Sequence, residues 1–350
     1  MSATLLPTLS LGGVARRLDA LERSTADLGG PAAGERPKAH PLLDARGRPI
    51  GMGGYSRLVT PQWRWDWPHL RCIDRVLDEV TGGGLRLVIL EIPPRHGKTE
   101  KVTVRYAAYR LELDPTLPVI LGAYNGKTAQ KSSRKIRRLA AGRLALSRER
   151  NSASDWETAE GGGVRAAGVG EGIAGLPAKL ILLDDPFGKK EDADNLAFRE
   201  KVWEWWLEDV STRLEPGGAV VLTMNRRHED DLVGRILASE EGPDWSVIRL
   251  PALAEDDDPL GRPEGAALCP DRYDEEALAK IRRRLGERRF ACLYQQRPAP
   301  ASGHVFKTEH LRYYTTRDRP IPGVPFLPDR SPSGSRRTSA SRRCTRCRRR

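Results

Sequence analysis

Apolar runs of strand length alternate with longer mixed segments through the middle of the chain. LRLVILEI at 85–92 predicts a buried strand, stopped by Pro93-Pro94. Residues 99–113 predict a helix ended by Asp114-Pro115, and 118–124 a second strand. A strongly basic helix is expected over 127–146 and a third strand over 179–183, which runs into Asp184-Asp185-Pro186. A tryptophan-bearing helix follows at 194–214, stopped by Pro216-Gly217-Gly218; then come a strand at 219–224, a helix at 230–239 and a strand at 246–250. Strands and helices in this alternation predict an α/β fold, a mainly parallel sheet flanked by helices on both faces.

The flanks lack this pattern. Residues 1–55 predict a flexible lead-in with one short amphipathic helix at 14–28; residues 56–306 predict the folded body. Residues 307–350 predict a Pro-rich remnant and a disordered Arg/Ser tail. The tail changes how charge is read. The chain carries 59 Lys+Arg against 47 Asp+Glu, a net +12, but the last 20 residues hold eight Arg and no acid. Without them the balance is 51 against 47, so the body is only mildly basic. No apolar run approaches the roughly 20 residues of a membrane helix, and the N-terminus does not read as a secretory signal. The five Cys (72, 269, 292, 344 and 347) are odd in number and do not form a disulfide framework.

The chemistry concentrates at two strand ends. After the strand at 85–92, PPRHGKTE turns into a helix beginning at Gly97-Lys98-Thr99. Backbone N–H groups at such a helix start, together with its dipole, hold phosphate. Lys98 is expected on β/γ-phosphates and the Thr99 hydroxyl on Mg²⁺, with His96 and Gly97 completing a nucleotide-binding loop. The usual first glycine of such a loop is replaced by Ile92. Arg95 reads either as a surface charge or as a cation acting in cis on the γ-phosphate. The second strand end, KLILLDDP at 179–186, carries adjacent acids. Successive side chains there point in different directions, so Asp184 is expected to face Mg²⁺ and Asp185 an attacking water. In this reading the acids sit on a strand neighbouring the phosphate-loop strand.

Several segments, in order, resemble the large subunit of tailed-phage terminases. They are PPRHGKTE at 93–100, VILGAYN with the basic KTAQKSSRKIR to 137, VRAAGVGEGIAGLPAKLILLDDP at 164–186, the run from VWEWWLEDV to GRI at 202–236, and the blocks at 250–278 and 290–306. The resemblance implies a P-loop NTPase of the ASCE class that uses ATP and Mg²⁺ to move double-stranded DNA into a procapsid. It implies catalytic roles for Asp185 and Arg95, and a coupling strand end at Thr223, Asn225 and Arg226 that senses the γ-phosphate. Where relatives often read Thr-Arg-Trp-His, this chain reads Asn225-Arg226-Arg227-His228. Implied partners are DNA, the portal protein, the small terminase subunit and further copies of the chain in a ring. The implied location is the bacterial host cytoplasm, outside the mature virion. Relatives usually continue into a nuclease domain; only 44 residues follow Phe306 here, and nuclease activity is expected to be absent, with a frameshift or truncation as one origin of the tail.

Residues 127–150 hold nine Lys/Arg and one acid. They read equally as a solvated helix face or as a stripe for DNA phosphates, with Lys131, Arg134, Lys135 and Arg138 as the contacts. Trp203 and Trp206, at helical spacing, are expected in the core rather than on a nucleotide. Trp67 and His69 are candidates for packing near adenine. Two other functions fit the same residues: a helicase-like DNA translocase, and an inactive remnant that binds DNA non-specifically.

Overall fold

A computed structural model describes residues 49–298, apart from 174, 176 and 189, together with Leu42. The expected helix at 14–28, the Pro-rich remnant and the Arg/Ser tail lie outside the described residues.

Two helices, α1 (Gly51–Val59) and α2 (Pro68–Thr81), precede the first strand, β1 (Leu87–Glu91). A π-helical stretch over Thr99–Arg105 continues into α3 (Tyr106–Leu113), followed by β2 (Pro118–Ala123) and α4 (Gly126–Ala141). Three strands come next: β3 (Leu146–Asn151), β4 (Asp155–Thr158) and β5 (Gly163–Gly168). After β6 (Ala178–Asp184) come α5 (Lys190–Asp194), α6 (Leu196–Glu204) and a second π-helical stretch, Trp205–Val210. The described chain closes with β7 (Leu214–Met224), α7 (Leu232–Ala238), β8 (Ser246–Arg249), α8 (Glu275–Leu285) and α9 (Glu287–Leu293).

These strands form one sheet in the order β3-β4-β5-β2-β6-β7-β1-β8. The pairings from β5 to β8 are all parallel, and only β3–β4 and β4–β5 are antiparallel. The expected α/β architecture, a mainly parallel sheet flanked by helices, is therefore present. One expectation changes. The acidic strand β6 does not neighbour β1, because β7 lies between them. The strand end at 223–226 is thereby wedged between the phosphate loop and the acids.

Strand alternation explains the two-sided core. Val88 and Leu90 of β1, Val119 and Leu121 of β2, Leu180 and Leu182 of β6 face a cluster shared with α1, α2, α3 and α4. Ile89, Ile120, Ile181, Leu183, Val220 and Leu222 face the other way, onto Phe187, Val202, Trp205, Trp206, Ile236 and Trp245. The tryptophans are core, as expected: Trp205 and Trp206 are buried, Trp203 packs against their cluster, and Trp206 meets Trp245 edge-on at 5.7 Å.

Other expectations shift at boundaries. Residues 51–55, assigned to the lead-in, form most of α1, where Met52 and Tyr55 are fully buried. The basic helix stops at Ala141 rather than 146, and its expected end instead opens the polar edge strand β3. Residues of β3 such as Arg148 and Arg150 are exposed, so it carries no apolar signal; charged residues are how edge strands resist further pairing. Pro216-Gly217-Gly218 does not stop a helix before β7. It lies inside β7, beside an irregularity in the pairing with β6. A satellite core of Ala252, Ala267, Leu278 and Phe290 forms around α8 and α9.

Candidate functional site

The phosphate-loop residues leave β1 at the C-terminal edge of the sheet, where ligands of open parallel sheets bind. Gly97 has φ +88°, a left-handed conformation that favours glycine. Arg95 adopts φ +66° without being glycine, which marks a locally strained turn. Arg95 is exposed. His96 is buried; its Nδ1–H donates to the Pro94 carbonyl at 2.8 Å, fixing the tautomer in which Nε2 is a bare acceptor. Burial holds His96 neutral, pulled down to about 4. His69 is pulled down to about 3 for the same reason, and its Nε2–H donates to the His96 carbonyl at 3.1 Å. Trp67 stacks on His69 at 6.0 Å, so the three rings form a column beside the loop.

Lys98, Asp185 and Asn225 meet. The Lys98 ammonium pairs with an Asp185 oxygen and donates to Asn225 Oδ1 at 3.0 Å. Asp185 Oδ1 accepts the Asn225 peptide N–H at 3.2 Å, and the Asp185 N–H donates to the Thr223 carbonyl at 2.9 Å. A left-handed φ of +46° at Asp185 turns it away from its neighbour. The two acids consequently differ: Asp184 is buried, and the Asp185 side chain is 28% exposed. Burial pushes the Asp184 carboxyl up to about 6, with the Asp185 charge adding to it and Lys98 and the Thr99 and Thr103 hydroxyls opposing.

Buried polar atoms without partners cluster here: Asp184 Oδ1, Thr223 Oγ1 and Asn225 Nδ2. Native proteins satisfy most such atoms, so unmet acceptors and donors around a lysine and two acids fit a polyanion with its cation. Among the described residues no group of three His, Cys, Asp or Glu forms a metal cage.

Arg226 goes elsewhere. Its guanidinium donates from Nε to both Asp231 oxygens at 3.0 Å and from NH1 to Glu91 Oε1 at 3.0 Å. Glu91 and Asp231 are fully buried, and Asp231 also caps α7 through the Gly234 N–H at 3.1 Å. Arg226 is thus a structural clamp joining β1, β7 and α7. Its partners Glu91 and Asp231 were not singled out in the sequence; the signal available was an acid closing the otherwise apolar LVILE.

The basic stripe divides. Lys127, Lys131, Arg134 and Arg138 are exposed at i, i+4, i+7 and i+11, one face of α4. Lys135 instead pairs with Glu100, and Arg137 donates to Asn151 and Ser152. The glycine-rich segment before β6 packs close against the start of α4: a Cβ on Gly168 would lie 2.3 Å from the Gly126 nitrogen.

Residues 89–312 match the family model described as terminase large subunit, T4likevirus-type, N-terminal. The chain belongs to this large-terminase family. Solved large terminases are distant in sequence. The HK97 bacteriophage large terminase is 13% identical with a TM-score of 0.39, over 62% of this chain and 43% of its own. The Thermus phage P74-26 large terminase ATPase domain is 15% identical with a TM-score of 0.42, over 64% of this chain and 93% of its own. A mutant of that same ATPase domain gives 16% identity and a TM-score of 0.41, over 61% of this chain and 88% of its own. This chain therefore spans less than half the length of the HK97 large terminase. No curated protein matches it.

Proposed function

We propose that this chain is the ATP-hydrolysing part of a large-terminase motor that drives double-stranded viral DNA into a procapsid. The observation that carries the reading is the meeting of Lys98, Asp185 and Asn225 beside the unpartnered Asp184 Oδ1. The amides of Gly97, Lys98 and Thr99 would hold the β- and γ-phosphates. Thr99 and Asp184 would hold Mg²⁺, which supplies charge neutralisation on the phosphates when bound. Phosphate oxygens would compete for the Lys98 ammonium and leave Asp185 to orient a water for in-line attack. Thr223 and Asn225, between loop and acids, would sense the γ-phosphate. Arg95, exposed on the loop, would add positive charge to it.

Duplex DNA is the proposed track, met through its phosphates by Lys131, Arg134 and Arg138, with Lys135 held back by Glu100. Portal protein, small subunit and further copies in a ring are the proposed partners, in the cytoplasm of the bacterial host. A nucleotide-hydrolysis assay on the full chain tests the reading: Lys98→Ala abolishes Mg²⁺-dependent ATP turnover, and turnover unchanged by that substitution refutes it.

A further inference from the structure

Gln296 lies 70 residues beyond Arg226 in sequence, yet its side-chain Oε1 accepts the Arg226 peptide N–H at 2.9 Å. The residue is fully buried and left-handed, with φ +57°. Its own amide is fixed, since Nε2 donates to the Leu293 carbonyl at 2.8 Å and so leaves Oε1 as the atom aimed at β7. The surrounding segment is anchored as well. The Gln295 side chain bridges both the N–H and the carbonyl of Leu253 at 2.9 Å, and the Tyr294 carbonyl accepts the Ala252 N–H at 2.8 Å.

The consequence lies in two consecutive peptide groups. The Asn225 N–H is held by the Asp185 carboxylate and the Arg226 N–H by Gln296. The Arg226 side chain cannot follow either, because Glu91 and Asp231 grip it. The 225–226 peptide therefore hangs between the acid that faces the phosphates and the segment that ends the described chain. A shift of Asp185 that carries the Asn225 backbone with it loads the Gln296 bond.

We propose that Gln296 is a positioning residue: through the Arg226 peptide it sets Asp185 and Asn225 for hydrolysis and transmits nucleotide state to residues 293–298. The inference rests on the proposed ATPase reading. A residue that only fills the core would affect stability alone, whereas a positioning residue changes turnover with little effect on nucleotide affinity.

The test uses the full chain with Mg²⁺·ATP. Gln296→Met removes the acceptor at similar volume, and kcat is expected to fall about tenfold with KM for ATP within about twofold. Folded Gln296→Met protein with unchanged kcat, or with KM rising in step, overturns the proposal. Amide hydrogen exchange on the unsubstituted chain gives a second readout that needs no variant to fold. Exchanging ATP for ADP should alter protection at 225–227 and 293–298 together. Turnover with a silent 293–298 segment refutes the Gln296 inference alone; a chain with no Lys98-dependent turnover refutes both readings.

Discussion

Two charged clusters sit at the same edge of the same sheet, one strand apart, and they are built oppositely. Glu91, Arg226 and Asp231 are all satisfied: the guanidinium forks onto two carboxylates, Arg249 takes the second Glu91 oxygen, and Asp231 accepts backbone N–H groups as well. Lys98, Asp184 and Asp185 are not; the lysine pairs with Asp185, and a buried oxygen of the adjacent Asp184 has no partner. Charge and burial alone therefore do not mark a functional site. What separates these two clusters is unmet hydrogen-bonding capacity, which costs stability unless something else fills it. Arg226, a candidate sensor by position, falls on the satisfied side of that line, while Asn225, its immediate neighbour, falls on the unsatisfied side.

The sharpest way to break this contrast is to remove one cation from each cluster. Arg226→Met leaves the buried Asp231 without its cation and Glu91 with Arg249 alone, and should cost about 3–5 kcal/mol in urea unfolding. A loss near zero would mean that the network does not hold β1, β7 and α7 together. Lys98→Ala should lower ATP turnover at least 100-fold, an effect of about 2.7 kcal/mol or more on the transition state. Its unfolding free energy should change by no more than about 2 kcal/mol. If both variants unfold alike, the distinction between clamp and site disappears.

The neutral imidazoles beside the loop give a pH test. His69 and His96 titrate near 3 and 4 in the fold, below the ordinary value of about 6.5 in an unfolded chain. The unfolded state therefore binds more protons across that interval. The stability contributed by these two neutral imidazoles should be lost as pH drops from about 6.5 toward 4, with His69 alone accounting for about 2 kcal/mol at pH 5. Urea titrations at pH 7 and pH 5 check this, and His69→Gln should remove part of the difference; an unchanged pH dependence would show that His69 is not buried neutral.

The smallest effect concerns the basic stripe. Replacing Lys131, Arg134 and Arg138 together by Ala should flatten the salt dependence of duplex binding by roughly three counterions. Lys135→Ala, which removes a residue already paired with Glu100, should change it by less than one. Equal effects from the two variants would mean that exposure on α4 does not select the contacts.

Much of the fold was legible because its signals are local. β1, β2 and β6 are short apolar runs with abrupt ends, and each stands in the structure within two residues of its expected bounds. The edge strands β3 and β4, and β5, which joins them to β2, were not legible. β3 reads LSRERN and β4 DWET, and such polar segments become strands only by pairing with an existing sheet edge. The residues that meet at the site were legible for the same local reason: GKT and DD are contiguous and follow buried strands. The partners of Arg226, which are Glu91, Asp231 and Gln296, were not, because an acid or an amide in isolation carries no sign of what lies 135 or 70 residues away.

The sequence by itself determined the strand–helix alternation, the loop that begins a helix at Lys98 and Thr99, and the acids that close a buried strand. Hydrophobic period and turn chemistry act over a few residues, so they are written where they operate. Only the tertiary structure decided that β7 lies between β1 and β6, and so which side chains meet. It brought Asn225 onto Lys98, tied Arg226 to Glu91 and Asp231, and set Gln296 against the Arg226 peptide. Strand order follows from how two faces of a whole sheet are buried together, and no local pattern carries that information.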